Sequence, residues 1–321
     1  MMDKNIIQHQ PTKNIGVVGH VSHGKSSIVK LLTGINTMKN SNEKERNITI
    51  NMGYANAKIF KCSKCTNIMT QPSNIDCFLC SNCNIEMVLI DHWSFVDCPG
   101  HDTYMSTMIN GASLMDIVLL VVAANDDCPQ PQTVEHLLAC QIMEIPNIIV
   151  CHNKLDLLSK EEAITHKKTL DHFLSNTAVY KTIPISANSG ININFLLHEL
   201  TKIETSKHLD ATTDQLRMSI VRTFKTCKPG SNIYQLKGGI MGGSIISGKA
   251  IKNQIVEIRP GKITTNNGFI EVTPIYTTII DLRSENNQLE EAYPGGLIGM
   301  MTTLDPQYTM SNKLVGHLVG E

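Results

Sequence analysis

The chain has 321 residues, enough for two domains, and its 41% of hydrophobic residues can fill two cores. A net charge of −1 gives no overall field for nucleic acid or membrane, so such a contact needs a local basic surface. The first 13 residues read as a polar N-terminal tail lacking a signal peptide's apolar core, and the longest apolar run, 117–124, is too short to span a bilayer; a cytoplasmic protein with no membrane partner is expected.

An apolar run at 15–18 predicts a strand, and an amphipathic stretch from Lys25 through Leu32 predicts a helix. Between them, Gly19-His20-Val21-Ser22-His23-Gly24-Lys25-Ser26 has the GxxxxGK[ST] spacing of a phosphate-binding loop. Glycines there let main-chain N–H groups wrap anionic oxygens at the helix N-terminus, Lys25 brings charge and Ser26 a magnesium ligand. Arg46-Asn47-Ile48-Thr49 offers Thr49 as a second hydroxyl for the metal.

Five of the ten cysteines fall between residues 62 and 83, and a chain without an export signal keeps its thiols reduced. Cys62-Ser-Lys-Cys65 and Cys80-Ser-Asn-Cys83 are two CxxC turns whose separation lets four thiolates converge on a structural zinc ion. Cys77 leaves a choice open, because Cys77-Phe-Leu-Cys80 is also CxxC; Cys80 and Cys83 are preferred since Asn84 tolerates the left-handed backbone that follows a knuckle. The insert, 62–84, has few apolar residues to fold it without metal. Cys98, Cys128, Cys140, Cys151 and Cys227 read as core thiols.

A strand over 94–96 ends at Asp97-Cys98-Pro99-Gly100-His101, where Asp97 suits the water shell of magnesium and the Gly100 N–H a terminal phosphate. His101 is the candidate for orienting an attacking water, the alternative being a surface histidine beside a turn. A strand at 117–122 leads to a helix over 133–143, in which Val134, Leu137, Leu138 and Ile142 are expected to face the core. After a strand at 148–150 comes Asn153-Lys154-Leu155-Asp156; the Asp156 carboxylate can accept both N1–H and the exocyclic amine of guanine, donors that adenine lacks there. A helix at 160–174, a strand at 183–185, Ser186-Ala187-Asn188 with an N–H for the guanine carbonyl, and a helix at 193–203 complete the pattern. Strands alternating with helices predict an α/β domain, 14–206, with a mostly parallel sheet covered on both faces and its ligand at the carboxyl ends of the strands.

A polar linker near 204–213 separates this from 207–321, where short alternating runs such as 218–224 and 251–258 are punctuated by Pro229-Gly230, Pro260-Gly261, Asn267-Gly268 and Pro294-Gly295. That spacing of turn dipeptides predicts a small barrel or sandwich. Gly238-Gly239-Ile240-Met241-Gly242-Gly243 is either a loop that lets a ligand approach main chain or a pair of hairpin turns, and Arg222, Lys225 and Lys237 are candidate phosphate contacts.

The stretches GHVSHGKSS, ERNITINMGYANAKIFKC, WSFVDCPGHD, CPQPQTVEHL, LKGGIMGGSI and YPGGLIG, spread from about residue 14 to the end, resemble the translational GTPases, most closely the gamma-subunit family of eukaryotic and archaeal translation initiation factor 2. The resemblance implies a P-loop GTPase domain with a zinc ribbon between its switches, then a β-barrel domain II, with the family's third domain absent. It implies a partner-stimulated GTPase that carries initiator methionyl-tRNA to the small ribosomal subunit, working with alpha and beta subunits and with GTPase-activating and nucleotide-exchange factors. GTP or GDP would be held by Ser22, His23, Gly24, Lys25, Ser26, Ser27, Gly100, Asn153, Lys154, Asp156, Ser186, Ala187 and Asn188, and magnesium by Ser26, Thr49 and, through water, Asp97. Val21 and Ile48 would form an apolar gate beside His101. Ser22 stands where the superfamily's elongation factors carry Asp, which favours the initiation branch; Ser27 and Asn188 replace the commoner Thr and Gln. The alternatives are a selenocysteine-type elongation factor, the GTPase module of a sulfate-activating enzyme, and a nonhydrolysing scaffold.

Overall fold

The computed structural model describes residues 4–37, 52–101, 105–112, 114–204, 215–224, 238–266 and 269–321. Ile48, Thr49, Lys225, Cys227, Lys237, linker residues 205–213 and the turns at Pro229-Gly230 and Asn267-Gly268 lie outside them. Two units divide the chain: one is Lys13–Glu204, the other Thr205–Glu321 together with Met1–Thr12. The first helix, α1 (Lys4–His9), belongs to the second of these.

In the Lys13–Glu204 unit the order is β1 (Lys13–Gly19), α2 (Lys25–Thr33), β2 (Gly53–Lys61), β3 (Ile68–Pro72), β4 (Val88–Asp97), α3 (Met105–Ala112), β5 (Ile117–Ala123), α4 (Pro131–Ile142), β6 (Asn147–Asn153), α5 (Lys160–Leu174), β7 (Lys181–Pro184) and α6 (Ile193–Lys202). One seven-stranded sheet runs β3-β2-β4-β1-β5-β6-β7. Its five strands from β4 to β7 are parallel. β5 is apolar and buried at every position, as a central strand covered on both faces must be. Ile28, Val29 and Leu32 of α2 and Leu196, Leu197 and Leu200 of α6 join one core with Ile15, Val17, Trp93 and Phe95. The mostly parallel α/β sheet is as expected, with an antiparallel margin that the sequence pattern does not announce: β2 pairs antiparallel with β4, and β3 with β2. Asn56 and Lys58 sit buried within β2 and break its apolar signal.

The helix α4 corrects one expectation. Leu137 is buried, but Val134, Leu138 and Ile142 are 41, 53 and 70% exposed. The buried stripe is Thr133, His136, Leu137 and Cys140, so the helix is turned about its axis to put two polar side chains inward. Leu138 and Ile142 instead line a shallow apolar cavity of about 450 Å³ with Met105 and Ile109 of α3.

In the other unit the strands are β8 (Arg217–Phe224), β9 (Ile240–Ser247), β10 (Ala250–Ile251), β11 (Ile255–Asn266), β12 (Phe269–Ser284), β13 (Asn287–Leu289), β14 (Glu291–Ala292), β15 (Ile298–Thr302) and β16 (Leu318–Gly320). The order β11-β16-β8-β9-β15-β12 closes through β12 pairing with β11, a six-stranded barrel whose closure removes its open edges. Met218, Ile220, Met241, Ile245, Ile258, Ile279 and Met300 fill its interior. Pro260-Gly261 is not a hairpin turn: it lies inside β11 at a register shift between Ile258 and Lys262, where proline's missing N–H interrupts the ladder. The run 251–258 is divided at Asn253, whose φ of 69° turns the chain between β10 and β11. The α1 segment is bonded to the barrel: Asn287 Nδ2 donates to the His9 carbonyl, and the Tyr293 N–H to Gln10 Oε1.

Candidate nucleotide site and metal centre

Residues 19–26 leave the carboxyl end of β1 and enter α2. Gly24 takes φ 99°, a conformation that costs other residues strain, and so swings the loop's main chain over the helix N-terminus. The Lys25 ammonium donates to the carbonyls of Gly19 and His20 at 2.9 and 2.8 Å. Burial pushes it down to about 8, with the Asp97 carboxylate opposing. Gly100 packs directly on this loop: a Cβ there would overlap Lys25 Nζ and lie 2.9 Å from the Gly19 carbonyl. His101, the next residue, has an exposed side chain, and Val21 is half-buried.

Asp97 ends β4 and is wholly buried; its main chain is paired with Gly53 on one side and Val17 on the other. Thr37 Oγ1 donates to its Oδ2 at 2.6 Å. Ser26 is half-buried at the first turn of α2. A buried ammonium, a buried carboxylate and a glycine cradle that a Cβ would fill are the groups a magnesium–triphosphate needs, so the residues present fit it.

Asn153 joins the 19–26 loop to the loop at Ser186-Ala187. Its Nδ2 donates to the His23 carbonyl at 2.9 Å, and its Oδ1 accepts from the Ala187 N–H at 3.0 Å. Lys154 follows with φ 64°, and the short 3-10 turn Leu155–Leu157 carries Asp156, whose carboxylate accepts from Ser186 Oγ. Ser186 Oγ in turn accepts from the Ser189 N–H at 3.1 Å. Asp156 and Asn188 are exposed, as are Ser22 and Ser27.

Two partners were missed from the sequence. His136 Nδ1 accepts the Gly19 N–H at 2.9 Å, which puts the ring proton on Nε2; burial, helped by nearby Lys25, holds this imidazole down at about 4. The signal was a histidine inside an amphipathic helix, one residue before the core-facing Leu137. Thr37 was missed because no motif contains it. His23 is likewise pushed down to about 4 by burial, and its Nδ1–H donates to the Val121 carbonyl.

The sulfurs of Cys62, Cys65, Cys80 and Cys83 lie within 4.8 Å of one another, against ~3.8 Å for tetrahedral thiolates on zinc. Each CxxC turn is a hydrogen-bonded knuckle, the Thr66 N–H donating to Cys62 and that of Asn84 to Cys80. Thr66 and Asn84 take φ 56° and 54°. The donor set suits zinc. Cys77 stands apart, its thiol 3.1 Å from a Glu86 carboxylate oxygen. The insert is less bare than its composition suggested: Phe60, Cys62, Cys80 and Met87 form a small core with Met69, Phe78 and Ile85. Lys58 Nζ, buried in β2, bonds Asp76. Cys98, Cys140 and Cys151 are buried and Cys128 is half-buried; burial raises all four thiols, Cys140 and Cys151 to about 12.

In the barrel, Gly243 lies within β9, not on a hairpin turn, and Gly238 lies just before that strand; a Cβ at these positions would run into the Ser219 and Thr302 carbonyls. The Arg222 guanidinium lies 5.3 Å over the Phe224 ring.

Residues 10–206 match the family described as Elongation factor Tu GTP binding domain. The chain is 43% identical to the eukaryotic translation initiation factor 2 subunit gamma of Encephalitozoon cuniculi, over 98% of this chain and 73% of that protein. It is 45% identical to that of Schizosaccharomyces pombe, over 98% and 72%, and 44% identical to the translation initiation factor 2 subunit gamma of Methanocaldococcus jannaschii, over 97% and 74%. Among solved structures, a bacterial selenocysteine-specific elongation factor EF-Sec superposes with a TM-score of 0.68 at 22% identity, covering 97% of this chain and 45% of that one. The elongation factor SelB of Methanococcus maripaludis, in complex with the GTP analogue GppNHp, gives 0.67 at 22%, covering 98% and 56%. At that identity the likeness is one of fold, and the chain spans about half of each of these structures.

Proposed function

The chain belongs to the gamma-subunit family of translation initiation factor 2 and is a GTP-binding GTPase; on that premise we propose that it carries initiator methionyl-tRNA to the small ribosomal subunit and releases it after GTP hydrolysis. The observation that carries the nucleotide part is Asn153, one side chain bonded to both the phosphate loop and the Ser186-Ala187 loop, so that phosphate and base are gripped as one site. Asp156, steadied by Ser186, accepts from guanine; Lys25 meets the phosphate charge; Ser22, His23, Gly24, Ser26, Ser27 and Gly100 surround it. Magnesium, held by Ser26, Thr49 and through water by Asp97, would neutralise charge on the terminal phosphates. His101, exposed beside Gly100, would orient the attacking water behind a gate of Val21 and Ile48. Four thiolates leave no open position, so zinc on Cys62, Cys65, Cys80 and Cys83 would be structural.

The protein would work in the cytoplasm with alpha and beta subunits, a GTPase-activating protein and an exchange factor; among the described residues no helix is long and apolar enough to cross a membrane. For the tRNA, Arg222 stacked on Phe224 offers a cation and an aromatic face. The selenocysteine-type alternative rests on fold alone. Filter binding of charged initiator tRNA, with the alpha subunit present, tests the reading: retention in GTP should exceed retention in GDP, and equal retention refutes the carrier role.

A further inference from the structure

We propose that Thr37 is a positioning residue for Asp97, and that its hydroxyl ties magnesium affinity to nucleotide retention; the inference rests on the GTP and magnesium reading of the site given above. The contact is long-range and enclosed. Thr37 Oγ1 donates to Asp97 Oδ2 at 2.6 Å across 60 residues of sequence, with Thr37 6% and Asp97 0% exposed. That distance is the one a hydroxyl adopts toward an ionised carboxylate.

The surroundings fix both partners. The Asp97 main chain is paired on both sides, with Gly53 of β2 and Val17 of β1, so only its side-chain torsions are left to set. Thr37 sets them. Gly53 makes room for it, because a Cβ at Gly53 would stand 2.5 Å from Thr37 Cβ and 3.4 Å from Asp97 Cβ. Threonine is stiff at χ1, so its hydroxyl points in a defined direction. A carboxylate has about four acceptor positions, and the bond from Thr37 occupies one of them, restricting the plane in which a metal-bound water must lie. Groups that orient a metal-holding carboxylate in this way govern affinity although they never touch the metal.

The test uses the full-length chain, a fluorescent N-methylanthraniloyl GDP, and a magnesium titration of its dissociation rate for wild type, Thr37→Val and Thr37→Ser. Valine keeps the shape and removes the hydroxyl. The magnesium concentration for half-maximal retention should rise about tenfold in the valine variant, return near wild type in the serine variant, and the rate in EDTA should be the same for all three. Coincident magnesium curves for valine and wild type would overturn the proposal. So would faster loss in EDTA as well, which marks a purely structural role or a misfolded variant. A wild type indifferent to magnesium would refute the site reading itself, and this inference with it.

Discussion

His136 gives the sharpest test of the packing around the phosphate loop. Its imidazole is fully buried, accepts the Gly19 N–H, and is held at about 4 against 6.5 for an unperturbed histidine. Because the unfolded chain takes up the proton first, stability is fully present above 6.5 and is lost as pH falls toward about 4. At about pH 5 the unfolded imidazole is almost wholly protonated and the folded one about a tenth, a difference of about 2 kcal/mol at this one site. His136→Asn keeps an acceptor where Nδ1 stood but cannot titrate, so its stability should fall less on acidification by about that 2 kcal/mol. His136→Leu offers no acceptor and should cost about 1–3 kcal/mol already at neutral pH, the usual cost of a buried N–H left unpaired. Trp93, the chain's one tryptophan, is buried in the core of the Lys13–Glu204 unit, so urea unfolding followed by its fluorescence reports that unit alone. His23 and His152, also held near 4 by burial, acidify wild type and variant alike and cancel in the comparison. Parallel pH profiles for wild type and His136→Asn would refute the reasoning.

Three further outcomes are expected. Cys80→Ser should abolish stoichiometric zinc, measured by metal analysis and by release to a chromogenic chelator on thiol modification, and should unfold the ribbon, a loss on the order of ten kcal/mol of binding energy; Cys77→Ser, which leaves the four clustered sulfurs intact, should retain one zinc per chain. Gly100→Ala must move the Lys25 ammonium, and calorimetry should show GTP affinity lowered at least about tenfold, since the added methyl overlaps that group and main chain cannot yield. Asp156→Asn places an amide donor against the donors of guanine, so GTP binding should fall by about a hundredfold or more while xanthosine triphosphate, which offers an acceptor there, gains in relative affinity.

What could be read from the chain itself was whatever depends on neighbours in sequence. The phosphate loop is legible because glycine at 24, lysine at 25 and serine at 26 act through their own main chain and the helix they begin; the CxxC turns are legible because each knuckle closes on itself; β5 is legible because a strand buried on both faces is apolar throughout. Family membership and the α/β-plus-barrel architecture followed from such local stretches taken together. The direction α4 turns its faces was not legible, since the buried stripe contains Thr133 and His136 and is chosen by the acceptor Gly19 requires, 117 residues away. Nor were the antiparallel margin of the sheet, where buried Asn56 and Lys58 disguise β2, and the bond from Thr37 to Asp97 across 60 residues. Main-chain geometry and short-range spacing are encoded where they act. A buried hydrogen bond between distant residues exists only once the sheet has brought its two ends together, and so only the tertiary structure decides it.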